Sequence, residues 1–295
     1  MTLATRLAAA MILLVALAVS AVGWLSYRSL EQALLPRVLD RIETHSRFVA
    51  AALESYVAGA RGDVAGFRSV ALNGLIRARL AGGIDPTEGV SEKTWNERLG
   101  RRLVSELQSK PAYAELRIIG NDEGAREIVR ADRLGPKGAV RLVPDAELQR
   151  KGERPFFKDT IKLPPGELYV SPLDLVQDNG AITVPHVPTL RVATPIFAAD
   201  GKPFGILIVN VDMRPALDAA RSSMRPGENI YVVNGRGDYL VHPDRAREFG
   251  SQLGKPSDWR SDFPNLASSL GAMPNAWSRA SSCRTSVNRT VAKAR

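Results

Sequence analysis

The chain has 295 residues, of which 44% are hydrophobic and 24% are charged. This composition is typical of a globular protein with enough apolar material for a core. The formal net charge of +9 raises the question of nucleic-acid binding. However, the tail after Asp262 has five basic residues and no acidic one, which leaves only +4 on the remainder, where both signs are interspersed. This distribution indicates a solvated surface and argues against a nucleic-acid partner.

An uncharged segment near the N-terminus predicts a membrane anchor over 1–28. Residues 7–27 lie between Arg6 and Arg28, and as a helix they would span about 30 Å, enough to cross a bilayer core. Trp24 and Tyr27 lie at its outer end, where amphipathic aromatic residues favour the interface. The alternative is a cleaved signal peptide, because small residues at 18–23 fit a cleavage site. Both interpretations place the rest of the chain outside the cytoplasm.

The apolar spacing that follows predicts a long stalk helix over 29–81. Apolar residues recur at helical intervals from Leu30 to Val70, and Gly82-Gly83 ends the pattern. This stripe exceeds what one sheet would cover, so we expect a homodimer through the helix. His45 lies near the stripe and is interpreted as a packed residue rather than a ligand.

Alternating apolar residues and turn signals predict antiparallel strands and helices over 82–262. Strands are expected at 113–119, 127–131, 167–171, 190–197, 204–211, 229–233 and 239–241. Helices are expected at 91–107 with Ser91 as cap, at 144–162 with an interruption at Gly152, and at 213–224 with Asp212 as cap. Periodicity stops near 263, which predicts a disordered tail over 263–295.

The sequence carries no signature of catalysis or of cofactor binding. A P-loop, a Rossmann glycine fingerprint and a nucleophile elbow are all absent. Three scattered histidines and the single Cys283 supply neither a metal-ligand set nor a disulfide within the chain. We therefore expect no enzyme activity, no metal and no cofactor.

The segment 153–213 carries a family resemblance. Its motifs are RPFF at 154–157, YVSP at 169–172, ATPI at 193–196, DGK at 200–202 and GILIVNVD at 205–212. Together with YVVN at 231–234 and GDYLVHPD at 237–244, they make residues 29–262 resemble the double Cache (dCache) extracellular sensor domains of bacterial receptors, especially those of histidine kinases and diguanylate cyclases. The resemblance implies an α+β fold with two PAS-like antiparallel-sheet modules, a membrane-distal one over 82–212 and a partial membrane-proximal one over 213–262.

The resemblance also implies a ligand site in the distal module. In amino-acid-binding members the motif arginine and tryptophan hold the ligand carboxylate and the final aspartate holds its ammonium, pairings that these groups favour. Arg154 and Asp212 keep those residue types, whereas Phe156 and Phe157 replace the tryptophan and tyrosine, and Gln149 stands roughly where the family has a further tyrosine. We predict a site for a small molecule, with a carboxylate among its expected groups, formed by Arg154, Phe156, Phe157, Tyr169, Ser171, Asp174, Arg191, Thr194 and Asp212.

Structural interpretations of the same residues remain open. Phe156 and Phe157 could fill the core, Arg154 could pair with Asp159 or a helix end, and Asp212 could serve only as a helix cap. Arg191 lies in a strand, where an arginine is usually on the solvated face.

These features together predict the extracytoplasmic sensor region of a signal-transduction receptor, most similar to a sensor histidine kinase. It would be held in the bacterial inner membrane by one span, with its bulk in the periplasm. The expected partners are a small-molecule ligand, the lipid bilayer and a second copy of the chain. The compositional break near 264 leads us to expect a truncated or frame-shifted product that ends before its output domain. The alternative is a complete membrane-anchored periplasmic ligand-binding or scaffold protein without signalling output.

Overall fold

The computed structural model describes residues 3–67, 69–135, 138–178 and 180–271. It divides into a first unit that ends at Phe48 and a second unit that begins at Val49. The first unit is the N-terminal part of the helix α1 (Leu3–Gly66). Within it, Met11–Ser29 is long and apolar enough to cross a membrane, and its side chains are exposed, as the predicted anchor requires.

The predicted stalk consists of two helices. The helix α1 ends at Gly66, and α2 (Val70–Leu80) begins after Ser69, whose hydroxyl accepts a hydrogen bond from the Leu72 N–H. A third helix, α3 (Glu92–Ser109), begins after Ser91, whose hydroxyl accepts from the Thr94 N–H at 3.2 Å. The predicted Ser91 cap is therefore confirmed.

The second unit is built on one antiparallel sheet. Its strands are β1 (Tyr113–Gly120), β2 (Glu127–Arg133), β3 (Val140–Leu142), β4 (Tyr169–Val170), β5 (Asp174–Leu175), β8 (Pro188–Phe197) and β9 (Pro203–Asp212). The order across the sheet is β3-β2-β1-β9-β8-β4, and β5 also pairs with β8. Two short strands between β5 and β8, β6 (Gln177–Asp178) and β7 (Ala181–Ile182), form a separate hairpin. The predicted α+β class is confirmed.

Side-chain alternation gives this sheet two different faces. One face packs against α3 and against the part of α1 that begins at Val49. The strand residues of this face belong to the main core, for example Leu116, Ile118, Val192 and Val209. The opposite face carries a smaller apolar cluster around Ile119, Ala193, Ile206 and Ile208. Because that cluster covers only part of the second face, the rest is left to polar side chains.

A β-bulge at the start of β1 places neighbouring side chains of this strand on opposite faces of the sheet. The pairing with β9 shifts between Tyr113 and Glu115, so Tyr113 joins the main core while Glu115 lies on the opposite face. The Tyr113 hydroxyl donates a hydrogen bond to Asp63 of α1, which also pairs with Lys110 at 2.6 Å. Burial raises the pKa of Asp63, but the Lys110 and Tyr113 bonds outweigh this and leave the pKa below its ordinary value.

The segment 144–162 differs from its predicted helix. It contains a single 3₁₀ turn at Asp145–Glu147, an isolated bridge between Arg126 and Arg150, and the short helix α4 (Pro155–Thr160). The backbone of this segment instead bonds to the edge of the sheet, as in Gln149 O accepting from the Glu127 N–H at 2.9 Å. Tertiary pairing therefore replaced the local helical preference.

Other predicted boundaries also differ. The strand expected at 167–171 is reduced to β4, and α5 (Arg214–Ser222) takes Met213 as its N-cap, while Asp212 accepts the Arg214 N–H at 2.9 Å. The predicted tail contains the helix α7 (Pro264–Gly271), and 272–295 lies outside the described residues.

A small C-terminal module follows α5. It contains the predicted hairpin as β10 (Val232–Val233) and β11 (Tyr239–Val241), which pair antiparallel, and α6 (Trp259–Asp262). Tyr239 is fully buried, and its ring lies 5.8 Å from Tyr231 and 4.6 Å from His242. This aromatic cluster forms the core of the module.

The same substitution at two glycines should have opposite effects. In Gly74→Ala the new Cβ would overlap the indole of the buried Trp95, so we expect a loss of about 1–3 kcal/mol in the free energy of unfolding. Gly59 is at an exposed helical position, and in Gly59→Ala the new Cβ has no other atom within 4 Å. The free energy of unfolding should therefore rise by about 0.5–1 kcal/mol. Urea denaturation would measure both, and equal effects at the two sites would contradict the packing of α2 on α3.

Candidate functional site

A cavity of about 560 Å³ lies on the second face of the sheet, within the usual size range of small-molecule sites. Strands β1, β2, β3, β8 and β9 contribute residues to its floor. The segment 146–156 and residues of the β5–β7 region form its walls. The cavity is therefore enclosed by the part of the chain that departs most from its predicted secondary structure.

One row of cross-strand partners runs across the cavity floor. Arg141, Asp132, Glu115, Asn210 and Arg191 lie on β3, β2, β1, β9 and β8, and each is paired in register with the next. At about 4.8 Å between strands, the row spans about 19 Å. Five strands thus present polar side chains to one surface.

The next row contains a buried ion network. Arg117 Nη1 donates to Glu127 Oε1 at 2.8 Å, and Arg130 Nη1 donates to Glu127 Oε2 at 3.0 Å. The second guanidinium nitrogen of Arg117 lies 3.0 Å from Glu115. The Glu127 side chain is inaccessible to solvent and the Arg117 side chain is 7% exposed. One buried carboxylate therefore holds two guanidinium groups at the cavity floor.

Both members of the central pair stay ionised. Burial lowers the pKa of Arg117, but Glu115 and Glu127 outweigh it and leave that pKa above its ordinary value. Burial raises the pKa of Glu127, but Arg117, the Gln149 N–H and Arg130 outweigh it and hold that pKa below its ordinary value. The network therefore remains charged at neutral pH.

At the β3 end of the cavity, two carboxylates share one guanidinium group. Arg141 lies 2.9 Å from Asp132 and 2.7 Å from Glu147. Its side-chain hydrogen bonds to these two carboxylates raise the pKa of Arg141. This end has its charges paired within the chain.

The opposite end is built around the Phe156 ring. The guanidinium carbons of Arg117, Arg154 and Arg191 lie 5.7, 5.9 and 5.9 Å from its centroid, within the range of cation–π attraction. Phe156 itself is held by the buried start of α4. A single aromatic ring thus gathers three cations at one end of the cavity.

Two cations that line the cavity, Arg154 and Lys151, bond only to neutral amides in the described part of the chain. Arg154 Nη1 donates to Gln177 Oε1 at 3.4 Å, and Lys151 donates to Gln149 Oε1. Burial lowers the pKa of Lys151, and the nearby Arg117 lowers it further, while Glu127 and Glu115 raise it without offsetting these effects. The charge of Lys151 is therefore only partly compensated by its surroundings.

Several buried polar atoms at the cavity have no hydrogen-bond partner among the described residues. They are the Nε atoms of Arg117, Arg130 and Arg191 and the Oδ1 of Asn210. Unpaired buried polar atoms cost free energy. Three of these four atoms are donors, and all four are almost inaccessible to solvent.

The structure brings together three of the predicted site residues. Arg154, Phe156 and Arg191 line the cavity, and Gln149 lies beside them. Asp174 does not line the cavity, but its carboxylate accepts a hydrogen bond from the lining residue Arg191 at 2.6 Å. The expectation of a solvated Arg191 is wrong, since this residue is 5% exposed.

The remaining predicted residues lie outside the cavity lining. Phe157 fills the smaller apolar cluster, and Tyr169 packs against that cluster. Ser171 accepts the Arg191 N–H at 2.9 Å, and Thr194 donates to Glu167 O at 2.9 Å. The Asp212 carboxylate is bound by the guanidinium of Arg214, with both oxygens engaged.

The sequence analysis missed most of the charged residues at the cavity and the neutral Asn210. The charged residues are Glu115, Arg117, Glu127, Arg130, Asp132, Arg141, Glu147 and Lys151. The available signal was period-two spacing of polar residues inside apolar strands. Glu115 and Arg117 alternate in β1, and Asn210 interrupts the apolar run of β9. Such spacing places the polar residues of one strand on one face.

No group of three or more His, Cys, Asp or Glu residues that could hold a metal ion occurs within residues 3–67, 69–135, 138–178 and 180–271. The cavity chemistry that is available is charge pairing and hydrogen bonding by guanidinium, ammonium and amide groups.

Removal of the Glu127 charge should destabilise the whole domain. The Glu127→Gln variant leaves Arg117 and Arg130 facing each other in a buried site, so we expect a loss of about 3–5 kcal/mol in the free energy of unfolding. Urea denaturation would measure it. Glu123→Gln in the exposed β1–β2 turn is the matched control and should change stability by less than about 0.5 kcal/mol. Equal stability of the two variants would contradict the network.

Comparison with known proteins gives the family. The model of the family described as bacterial histidine kinase, sensor domain, matches residues 92–286. No curated protein sequence matches the chain. Among solved structures, a domain of a sensory box/GGDEF family protein from Vibrio parahaemolyticus has 19% identity and a TM-score of 0.62, and the match covers 80% of this chain and 82% of that chain.

Two other structures share the fold. The extracellular domain of a histidine kinase has 20% identity and a TM-score of 0.60, with 79% of this chain and 81% of that chain covered. A methyl-accepting chemotaxis protein has 13% identity and a TM-score of 0.52, with 81% and 85% covered. The family match spans most of the chain, so the predicted resemblance to receptor sensor domains is confirmed. The chain belongs to the family of bacterial histidine kinase sensor domains.

Proposed function

We propose that this domain is the periplasmic input region of a histidine-kinase-type receptor and that it binds a small anionic molecule in the 560 Å³ cavity. The observation that carries the proposal is the charge of the lining. Six cationic residues line the cavity against three acidic ones, and the cations are Arg117, Arg130, Arg141, Lys151, Arg154 and Arg191. Glu127 and Asp174 lie beside the lining and pair with Arg117, Arg130 and Arg191, which leaves one positive charge in excess. An anion would compensate the excess positive charge, whereas a cation would add to it.

The N-terminal helix supports a location at the bacterial inner membrane. Met11–Ser29 can span a bilayer, and a single span would leave the cavity-bearing unit in the periplasm. We also propose a homodimer through α1, on which Phe48 is an exposed aromatic residue. Chemical cross-linking of the full chain in membranes should trap a dimer, and a monomer alone would contradict this part of the proposal.

Strand β1 offers a physical route from the cavity to α1. Glu115 and Arg117 line the cavity, and Tyr113 at the start of the same strand donates to Asp63 of α1. A ligand that binds Arg117 would therefore contact a strand that is hydrogen-bonded to the long helix. To shift the receptor between states, that ligand must bind the two states with different affinity.

Binding is testable with the full chain in detergent micelles. We would screen succinate, citrate, inorganic phosphate, glucose and putrescine by thermal unfolding. A bound anion at about 100 times its Kd should stabilise by about 2.7 kcal/mol, which corresponds to a Tm shift of about 5–10 °C. Glucose and putrescine should give no shift.

Matched variants locate the site in the same assay. The Lys151→Gln/Arg154→Gln double variant should lose the anion-induced shift. Lys158→Gln should keep it, because Lys158 is on α4, pairs with Glu153 and does not line the cavity. A shift that persists in the double variant, or stabilisation by putrescine instead of an anion, would refute the proposed function.

Anion affinity should also depend on pH through Lys151. The folded protein has a lowered Lys151 pKa, and a bound anion favours the protonated form and so raises that pKa again. Affinity should therefore be constant well below the Lys151 pKa and fall as pH rises through it, at a pH below the ordinary range of lysine. Titration calorimetry across this pH range should show that anion affinity falls in the wild type. The same fall in the Lys151→Gln variant would show that Lys151 does not cause the pH dependence.

A further inference from the structure

We infer that the ligand of this cavity is a small dicarboxylate without an ammonium group. The inference rests on the proposed function and narrows it from anions in general to one chemical class. Three features support it: the pairing of the cavity carboxylates, the pairing of Asp212 with Arg214, and two cations whose hydrogen-bond partners among the described residues are neutral amides.

Each cavity carboxylate is already paired with an arginine. Glu115 lies 3.0 Å from Arg117 and accepts from Asn210 Nδ2 at 2.8 Å, while Asp132 and Glu147 lie 2.9 and 2.7 Å from Arg141. A ligand ammonium next to any of these groups would compete with a guanidinium at ion-pair distance. It would also share the cavity with Lys151 and Arg154, so like charges would oppose it.

Asp212 does not supply the missing carboxylate. Its two oxygens accept from Nε and Nη2 of Arg214, the latter at 2.5 Å, and it is outside the cavity lining. The position that resembles an ammonium-binding aspartate is therefore committed to α5. A zwitterionic amino acid would find cations for its carboxylate and no unpaired carboxylate for its ammonium.

The two cations of the cavity wall, Lys151 and Arg154, are best matched by a ligand with two anionic groups. Lys151 and Arg154 are separate residues on the cavity wall, and each donates to a neutral amide within the chain. The unpaired Nε atoms of Arg117 and Arg191 lie on the adjoining floor. One carboxylate would neutralise only one of the two wall cations, whereas a dicarboxylate supplies an acceptor to both.

Matched ligand pairs test the inference on the full chain in detergent. Succinate and glutarate would be compared by titration calorimetry with butyrate, which lacks one carboxylate, and with aspartate and glutamate, which add an ammonium to the same skeletons. At least one dicarboxylate should bind, and its amino and monocarboxylate counterparts should bind at least about tenfold more weakly. The Lys151→Gln and Arg154→Gln single variants should each weaken dicarboxylate binding, whereas Lys158→Gln should not.

The outcomes separate the inference from the proposed function. Equal binding of aspartate and succinate, or binding of butyrate or inorganic phosphate in preference to every dicarboxylate, overturns the dicarboxylate assignment. The proposed function stands in those cases if binding is lost in the Lys151→Gln/Arg154→Gln variant. Absence of binding by every anion overturns both. Circular dichroism of each variant would show that a lost signal is not a loss of folding.

Discussion

The buried pair of Arg117 and Glu127 is the interaction on which the rest of this structure depends. Its cross-strand geometry places two charged side chains on the inner surface of a sheet whose other face is apolar. Because burial of an unpaired charge is costly, each charge needs its partner, and Glu127 is shared with Arg130. The result is a polar floor whose charges are paired within the fold, while the Nε atoms of its arginines have no hydrogen-bond partner among the described residues. In the proposed function, stability and ligand binding depend on the same residues.

The two faces of the sheet have different roles in the domain. The main core, against α3 and α1, supplies most of the buried apolar surface, and the smaller cluster with Phe156 and Phe157 closes one end of the second face. The bulge between Tyr113 and Glu115 lets one strand serve both faces. This arrangement is compatible with a sensor in which a change at the cavity reaches the helix that leads towards the membrane, since Asp63 of α1 is bonded to Tyr113.

Sequence patterns predicted the regular elements well and the irregular ones poorly. The strands β8 and β9 agree with their predicted ranges within two residues, because both are long and bounded by turn residues. The segment 144–162 was expected to be mostly helical, but its backbone pairs with β2 and only α4 is helical. Local preference is weak compared with pairing to a sheet edge, and that edge belongs to residues about twenty positions earlier in the chain.

The sequence by itself determined the membrane-length helix, the α+β class and the family, and it singled out Arg154, Phe156 and Arg191, which line the cavity. Only the tertiary structure decided that Arg191 is buried, that Asp212 is bound by Arg214, and that polar side chains from five strands meet in one cavity. The physical reason is register. Period-two spacing tells which residues of one strand share a face, whereas the neighbours of each strand and the face that receives the helices follow from long-range pairing.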